Sequence, residues 1–186
     1  MPIKQDEIAM SEDLGAVFSR RMKLSGIGPD EVAREITANP AECAALAALF
    51  GLPALASLAG HFTLAHEQRG VIKADLHLAA QLTQVCVITL EPFETSIAET
   101  AHLRFVPAAK RHEAETIELD AETLEGPDEI FYSGEAIDLG AVLAEQLALS
   151  LDPYPRKPGA KLPEGLTDDP QTGPFAALLP FRKPEG

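Results

Sequence analysis

Three of the five histidines, two cysteines and a dense run of carboxylates are the groups in this 186-residue chain from which chemistry is first sought. His61, His66 and His77 stand at spacings that define no metal motif. In an extended chain His61 and His77 can meet across a hairpin, but no carboxylate or cysteine is set beside them by sequence. They are read as surface or partly satisfied histidines rather than ligands. Cys43 and Cys86 lie far apart in apolar surroundings, which in a reducing compartment makes them buried free thiols. After Lys110, Arg111 and His112 the chain passes through Glu113, Glu115, Glu118, Asp120, Glu122, Glu125, Asp128 and Glu129 without a basic residue. Carboxylates this dense can bind hard cations, yet the run lacks the ordered oxygen ligands around a central glycine of a calcium loop. Two readings stay open: a solvated loop or charged edge strand, and a docking surface for a basic protein. In the second, Glu118, Asp120, Glu122 and Glu125 are the partner-binding residues.

A smaller constellation follows a helical stretch: Asp152, Tyr154, Arg156 and Lys157 in a turn interrupted by Pro153 and Pro155. Asp152, Tyr154 and Arg156 form a candidate partner contact; alternatively Asp152 and Tyr154 lock the end of the helix. Arg20, Arg21 and Lys23 are a local basic cluster, either a solvated strand face or a small contact for an anion or RNA. The chain holds no serine elbow, phosphate-binding glycine loop, dinucleotide fingerprint or closely spaced histidine–carboxylate motif. It is therefore read as a non-enzymatic protein without a cofactor.

The charge balance narrows the partners. Fifteen Lys and Arg face 29 Asp and Glu, a formal net charge of −14. That sign repels a phosphate backbone, so extensive direct RNA binding is disfavoured. A basic protein is favoured instead, because opposite fields speed and orient association. No apolar run approaches the roughly 20 residues of a membrane span, and the first residues lack a basic-then-apolar signal. The expectation is a soluble, cytoplasmic protein.

The elements that must hold these groups are read from periodicity. At 46% apolar, the chain can bury a core and form one domain. The expected organisation is a flexible arm over 1–15, one α+β domain over 16–157, and a flexible linker with a C-terminal docking tail over 158–186. Phe18, Met22 and Leu24 suggest a first strand over 16–24, and Val32–Asn39 a second. Asn39, Pro40 and Glu42 make a capping box, and Cys43, Leu46, Ala47 and Phe50 share one face of the helix it starts. Gly51 offers a left-handed stop, and Pro53 is taken to start a second short helix reaching Gly60. From Gly60 to Pro107 alternation dominates. Ile72, Ala74, Leu76, Leu78 and Ala80 fall on one side of a pleat, and Val85–Ile88 form a consecutive apolar stretch, either a strand covered on both faces or the start of a bend. An antiparallel meander follows, open or barrel-like, built mostly within 16–133. Asp138 caps a helix whose stripe is Leu139, Val142, Leu143, Gln146, Leu147 and Leu151. Beyond Pro158 no period survives until Phe175, Leu178, Leu179 and Phe181, a cluster that can dock on its own core or serve as a handle for another molecule.

Three stretches carry a family resemblance. Val85–Glu99 (VCVITLEPFETSIAE), Ile137–Ala160 and Pro174–Lys183 (PFAALLPFRK) resemble, in order, the central signature, second signature and ending of the YceD family, associated with accumulation of large-subunit ribosomal RNA. Many members carry a CxxC pair at the first signature. Here it reads CVIT, with Thr89 in place of the second cysteine, so the resemblance does not bring a thiolate zinc site with it. What it implies is a factor in ribosomal RNA accumulation or ribosome assembly; taken with the charge balance and the acidic run, the expectation is a non-enzymatic factor associated with that RNA indirectly, through a basic ribosomal or assembly protein. A module contacting ribosomal RNA directly is the second reading.

Overall fold

The structure, a computed structural model, describes residues 14–28, 30–110 and 127–161. In order, the elements are β1 (Arg21–Lys23), β2 (Val32–Thr37), α1 (Pro40–Leu49), β3 (Ala54–His66), β4 (Ile72–Val85), β5 (Pro92–Pro107), β6 (Asp128–Tyr132), β7 (Ala136–Asp138) and α2 (Leu139–Ser150). β2 to β6 form a five-stranded sheet in sequence order, antiparallel except for the parallel β5–β6 pair, while β1 and β7 make a separate antiparallel ribbon. The fold is α+β, and among the described residues the sheet is open, with β2 and β6 at its edges and no barrel closure.

Alternation decides which face is covered. Along β4, Ile72, Ala74, Leu76, Leu78, Ala80 and Leu82 are buried while Lys73, His77, Ala79 and Gln81 are exposed, as the pleat requires. The covered face packs with Leu46 and Cys43 of α1 and with Leu139, Leu143 and Leu147 of α2 in one core that includes Phe18, Phe62 and Phe105. Each large side chain so buried contributes roughly 1.5–3 kcal/mol. Gly60 lets α2 seat closely, since a Cβ there would lie 2.7 Å from the Leu143 Cδ1.

Both helix starts form as their local chemistry demands, and one arginine joins them. The Asn39 side chain accepts from the Glu42 N–H (2.9 Å) while the Glu42 carboxylate accepts from the Asn39 N–H (2.8 Å), so the capping box is complete. Asp138 accepts from the Gly140 and Ala141 N–H groups at the head of α2, and also from the Arg20 N–H (2.8 Å) and the Ser19 hydroxyl. The Arg20 guanidinium then reaches both Glu42 oxygens, at 2.9 and 2.8 Å. The hydrogen bond from Arg20 is the main reason the Glu42 carboxyl sits below its ordinary pKa. Arg20 also stacks over the Phe18 ring.

Two expectations are corrected and one is refined. The strand over 16–24 shrinks to Arg21–Lys23: residues 14–17 are helical, with the Phe18 N–H donating to the Leu14 carbonyl, which buries Leu14 and Phe18 together. The helix over 53–60 is instead the first half of β3, paired with β2 and β4. β7, beyond residue 133, takes part in strand pairing, and the parallel β6 makes the main sheet mixed.

Candidate partner-docking site

The β4–β5 connection is built around one sulfur. The Cys86 N–H donates to the Glu91 carbonyl (2.9 Å) and the Leu90 N–H to the Cys86 carbonyl (2.8 Å), closing a tight turn in which Leu90 adopts a left-handed φ of 58°. The consecutive apolar residues from Val85 to Ile88 are thus the start of a bend. Inside it, the Cys86 thiol is closed off from solvent, shallow beneath the turn. The Thr89 hydroxyl, then the backbone N–H groups of Lys157, Thr89 and Ile88, donate to the sulfur, outweigh the cost of burial, and lower its pKa from 9.0 to about 7. Thr89 thus serves the sulfur as a donor. Cys43 is the contrast: burial raises its thiol.

The Lys157 N–H belongs to the segment that leaves α2, and that segment is stitched to the turn. The Val87 N–H donates to the Pro155 carbonyl (2.9 Å), the buried Gln84 amide reaches the Asp152 carbonyl (3.3 Å), and the Lys157 ammonium pairs with Glu91 (3.0 Å). The Asp152 carboxylate accepts from the Tyr154 N–H (2.8 Å), a local turn that orders the helix exit. The Tyr154 side chain itself is 71% exposed. Leu90 is 76% exposed, Val87 44% and Val85 41%, so the two stitched segments present apolar and aromatic side chains to solvent beside Arg156, Lys157 and Glu91. Such a patch is a feature of docking surfaces.

The predicted site residues divide accordingly. Asp152, Tyr154 and Arg156 come together beside the Cys86 turn, all exposed. Glu118, Asp120, Glu122 and Glu125 lie outside the described residues, as does the tail from Phe175 to Phe181. Of the acidic run, Asp128 and Glu129 open β6, where Glu129 faces Arg104 (3.4 Å), which also pairs with Glu67 (2.9 Å). Val87 and Leu90 join them at the surface, and the signal for this in the sequence is a hydrophobic stretch broken by Glu91-Pro92.

On the sheet face away from the helices, His61 stands directly across from His77, the hairpin neighbour the spacing allowed. The His77 Nδ1 meets the Thr100 hydroxyl (3.0 Å), and the His102 Nδ1 meets Asp75 (2.6 Å), chiefly holding that carboxyl below its ordinary range. Among the described residues, no three His, Cys, Asp or Glu side chains converge to hold a metal ion, and no catalytic constellation is assembled.

The model of one family, described as Large ribosomal RNA subunit accumulation protein YceD, matches residues 74–176. No curated protein matches, and no solved structure matches. The matched stretch holds β4 from Ala74 onward, β5, the Cys86 turn, α2 and the segment stitched to the turn. With more than half of its length covered, the chain belongs to the YceD family.

Proposed function

We propose that this protein is a non-enzymatic factor that supports accumulation of large-subunit ribosomal RNA, or assembly of the ribosome, by holding a basic ribosomal or assembly protein in the cytoplasm. The YceD match carries the direction, towards ribosome biogenesis. The partner's chemistry is inferred from the net charge of −14 and from the carboxylates Glu118, Asp120, Glu122 and Glu125, with Asp152, Tyr154 and Arg156 as a second contact. Its association with ribosomal RNA is then indirect. No membrane is invoked; no described helix is long and apolar enough to cross one.

Attraction between opposite surfaces weakens as salt rises, because screening acts over about 8 Å at physiological ionic strength. The test is co-purification from cells at low and moderate salt, with proteins and RNA identified together before and after nuclease. A basic ribosomal protein that stays after nuclease, and is lost when Glu118, Asp120, Glu122 and Glu125 are made neutral, is the expected result. Tight binding of the purified chain to ribosomal RNA alone, unchanged by those substitutions, would overturn it in favour of direct RNA contact.

A further inference from the structure

β5 is longer than its neighbour on one side. β6 pairs only with Leu103–Pro107, and among the described residues no strand lies against Pro92–His102 on the side away from β4. β6 begins directly after Pro127, a residue without an N–H to extend a ladder. Bare edges are commonly blunted by lysines, bulges or a covering element; this one has a proline only at its first position and offers Glu94 and Glu99 instead. Its side chains on the helix face, Phe93 and Ile97 among them, are only half-buried, so an added strand would complete their burial. No Lys or Arg occurs between Glu91 and His102. Where the bare edge meets β6, a cleft of about 560 Å³ opens, lined by Glu99, Ala101, Asp128, Gln146 and Ser150 among others, with Lys73 its one Lys or Arg. The run Glu113–Glu125 joins the described structure at this same corner, through Pro127.

We infer that the basic partner docks here by adding a strand: an extended segment with Lys or Arg alternating with apolar residues lies along Pro92–His102. This rests on the basic-partner reading above and gives it a place and a binding mode. Main-chain hydrogen bonds to the open edge supply affinity, and alternate side chains supply selectivity: apolar ones beside Phe93 and Ile97 on the helix face and basic ones beside Glu94 on the other, while Glu99 and Asp128, which share the helix face, add to the negative field that draws the segment in.

The test uses the full chain and two synthetic peptides with blocked ends, one of alternating Lys and Val and one of the same pattern interrupted by central prolines. Binding is titrated at low salt, and amide exchange is followed residue by residue. The alternating peptide is expected to bind, to slow exchange across 93–102, and to bind about tenfold more weakly to the Glu94→Lys/Glu99→Lys variant. The proline-interrupted peptide is expected to bind less well and to leave that exchange unchanged. If the alternating peptide binds while 93–102 is unaffected, or if the double variant binds it equally, the edge is not the site although the basic-partner reading survives. If neither peptide binds at low salt, the basic-partner reading itself fails. Slow exchange across 93–102 before any peptide is added would also overturn the inference, since the edge would already be covered by the chain itself or by a second copy.

Discussion

Replacing Asp138 by Ala is the most informative single perturbation of this fold, because that carboxylate serves two tasks. As the cap of α2 it satisfies the Gly140 and Ala141 N–H groups, and losing such a cap costs about 1 kcal/mol. It also accepts from the part-buried Arg20 N–H at 2.8 Å, and a donor left unsatisfied there costs roughly 1–3 kcal/mol more. The exposed Ser19 hydroxyl can turn to water and adds little. The sum is about 2–4 kcal/mol, which for a chain of this length lowers Tm by roughly 4–16 °C. Urea unfolding should show a lower midpoint with an unchanged slope. Asp138→Asn keeps an acceptor and should lose less than half as much. Because Arg20 links Asp138 to Glu42, Asp138→Ala and Glu42→Ala should also combine non-additively. A loss below about 0.5 kcal/mol for Asp138→Ala would refute the argument that this carboxylate fastens the N-terminal segment to α2.

Gly140→Ala should destabilise more than Gly60→Ala: its Cβ would meet the Arg20 nitrogen at 2.7 Å and the Phe18 oxygen at 2.9 Å, backbone that cannot yield, whereas Gly60 faces movable leucine ends. Urea midpoints in the reverse order would contradict this. Glu42 has a lowered folded pKa, so its stabilisation is complete above the unfolded carboxylate value of about 4.3 and is lost as pH falls through the folded value. The stability gap between wild type and Glu42→Gln should therefore narrow on acidification, and a constant gap down to pH 2 would argue against it. Thr89→Val removes the principal donor to the Cys86 sulfur, so the midpoint of thiolate absorbance should move up from about 7 towards the ordinary thiol value; an unmoved midpoint assigns the depression to the backbone donors alone.

Local chemistry was readable from sequence wherever it acts within a few residues. Asn39-Pro40-Glu42 and Asp138 specify caps by themselves, and both form. The β4 alternation is equally local, so its buried side was legible. The first half of β3 was not, and a bulge explains why. The register shifts between Leu55 and Ser57, so the buried Leu55 and Leu58 fall three apart, the step of a helix. Near the N-terminus, the four-residue step from Leu14 to Phe18 was hidden by an equal step from Phe18 to Met22, and only packing decides between them. At the candidate site, Asp152, Tyr154 and Arg156 could be named from a proline-broken helix end. Their proximity to Cys86 could not, because it depends on Pro155 and Lys157 meeting a turn far away in sequence. The bare edge of β5 is likewise invisible until the parallel partner is placed and shown to be short.

The pairing of β1 with β7 has a consequence for synthesis. Met22 lies opposite Ile137, and the fully buried Phe18 precedes it, so the earliest hydrophobic residues of the core have no strand partner or α2 to meet until more than a hundred further residues have been made. At about 5–20 residues per second, that is a wait of roughly 6–25 s, during which β2, β3, β4 and β5 can pair with one another in order as they emerge. Nascent chains stalled before residue 136 should therefore hold a protease-resistant meander with the segment around Phe18 still cleavable, and early protection of that segment would contradict this timing. For those seconds, Phe18 is the exposed apolar handle a chaperone could hold.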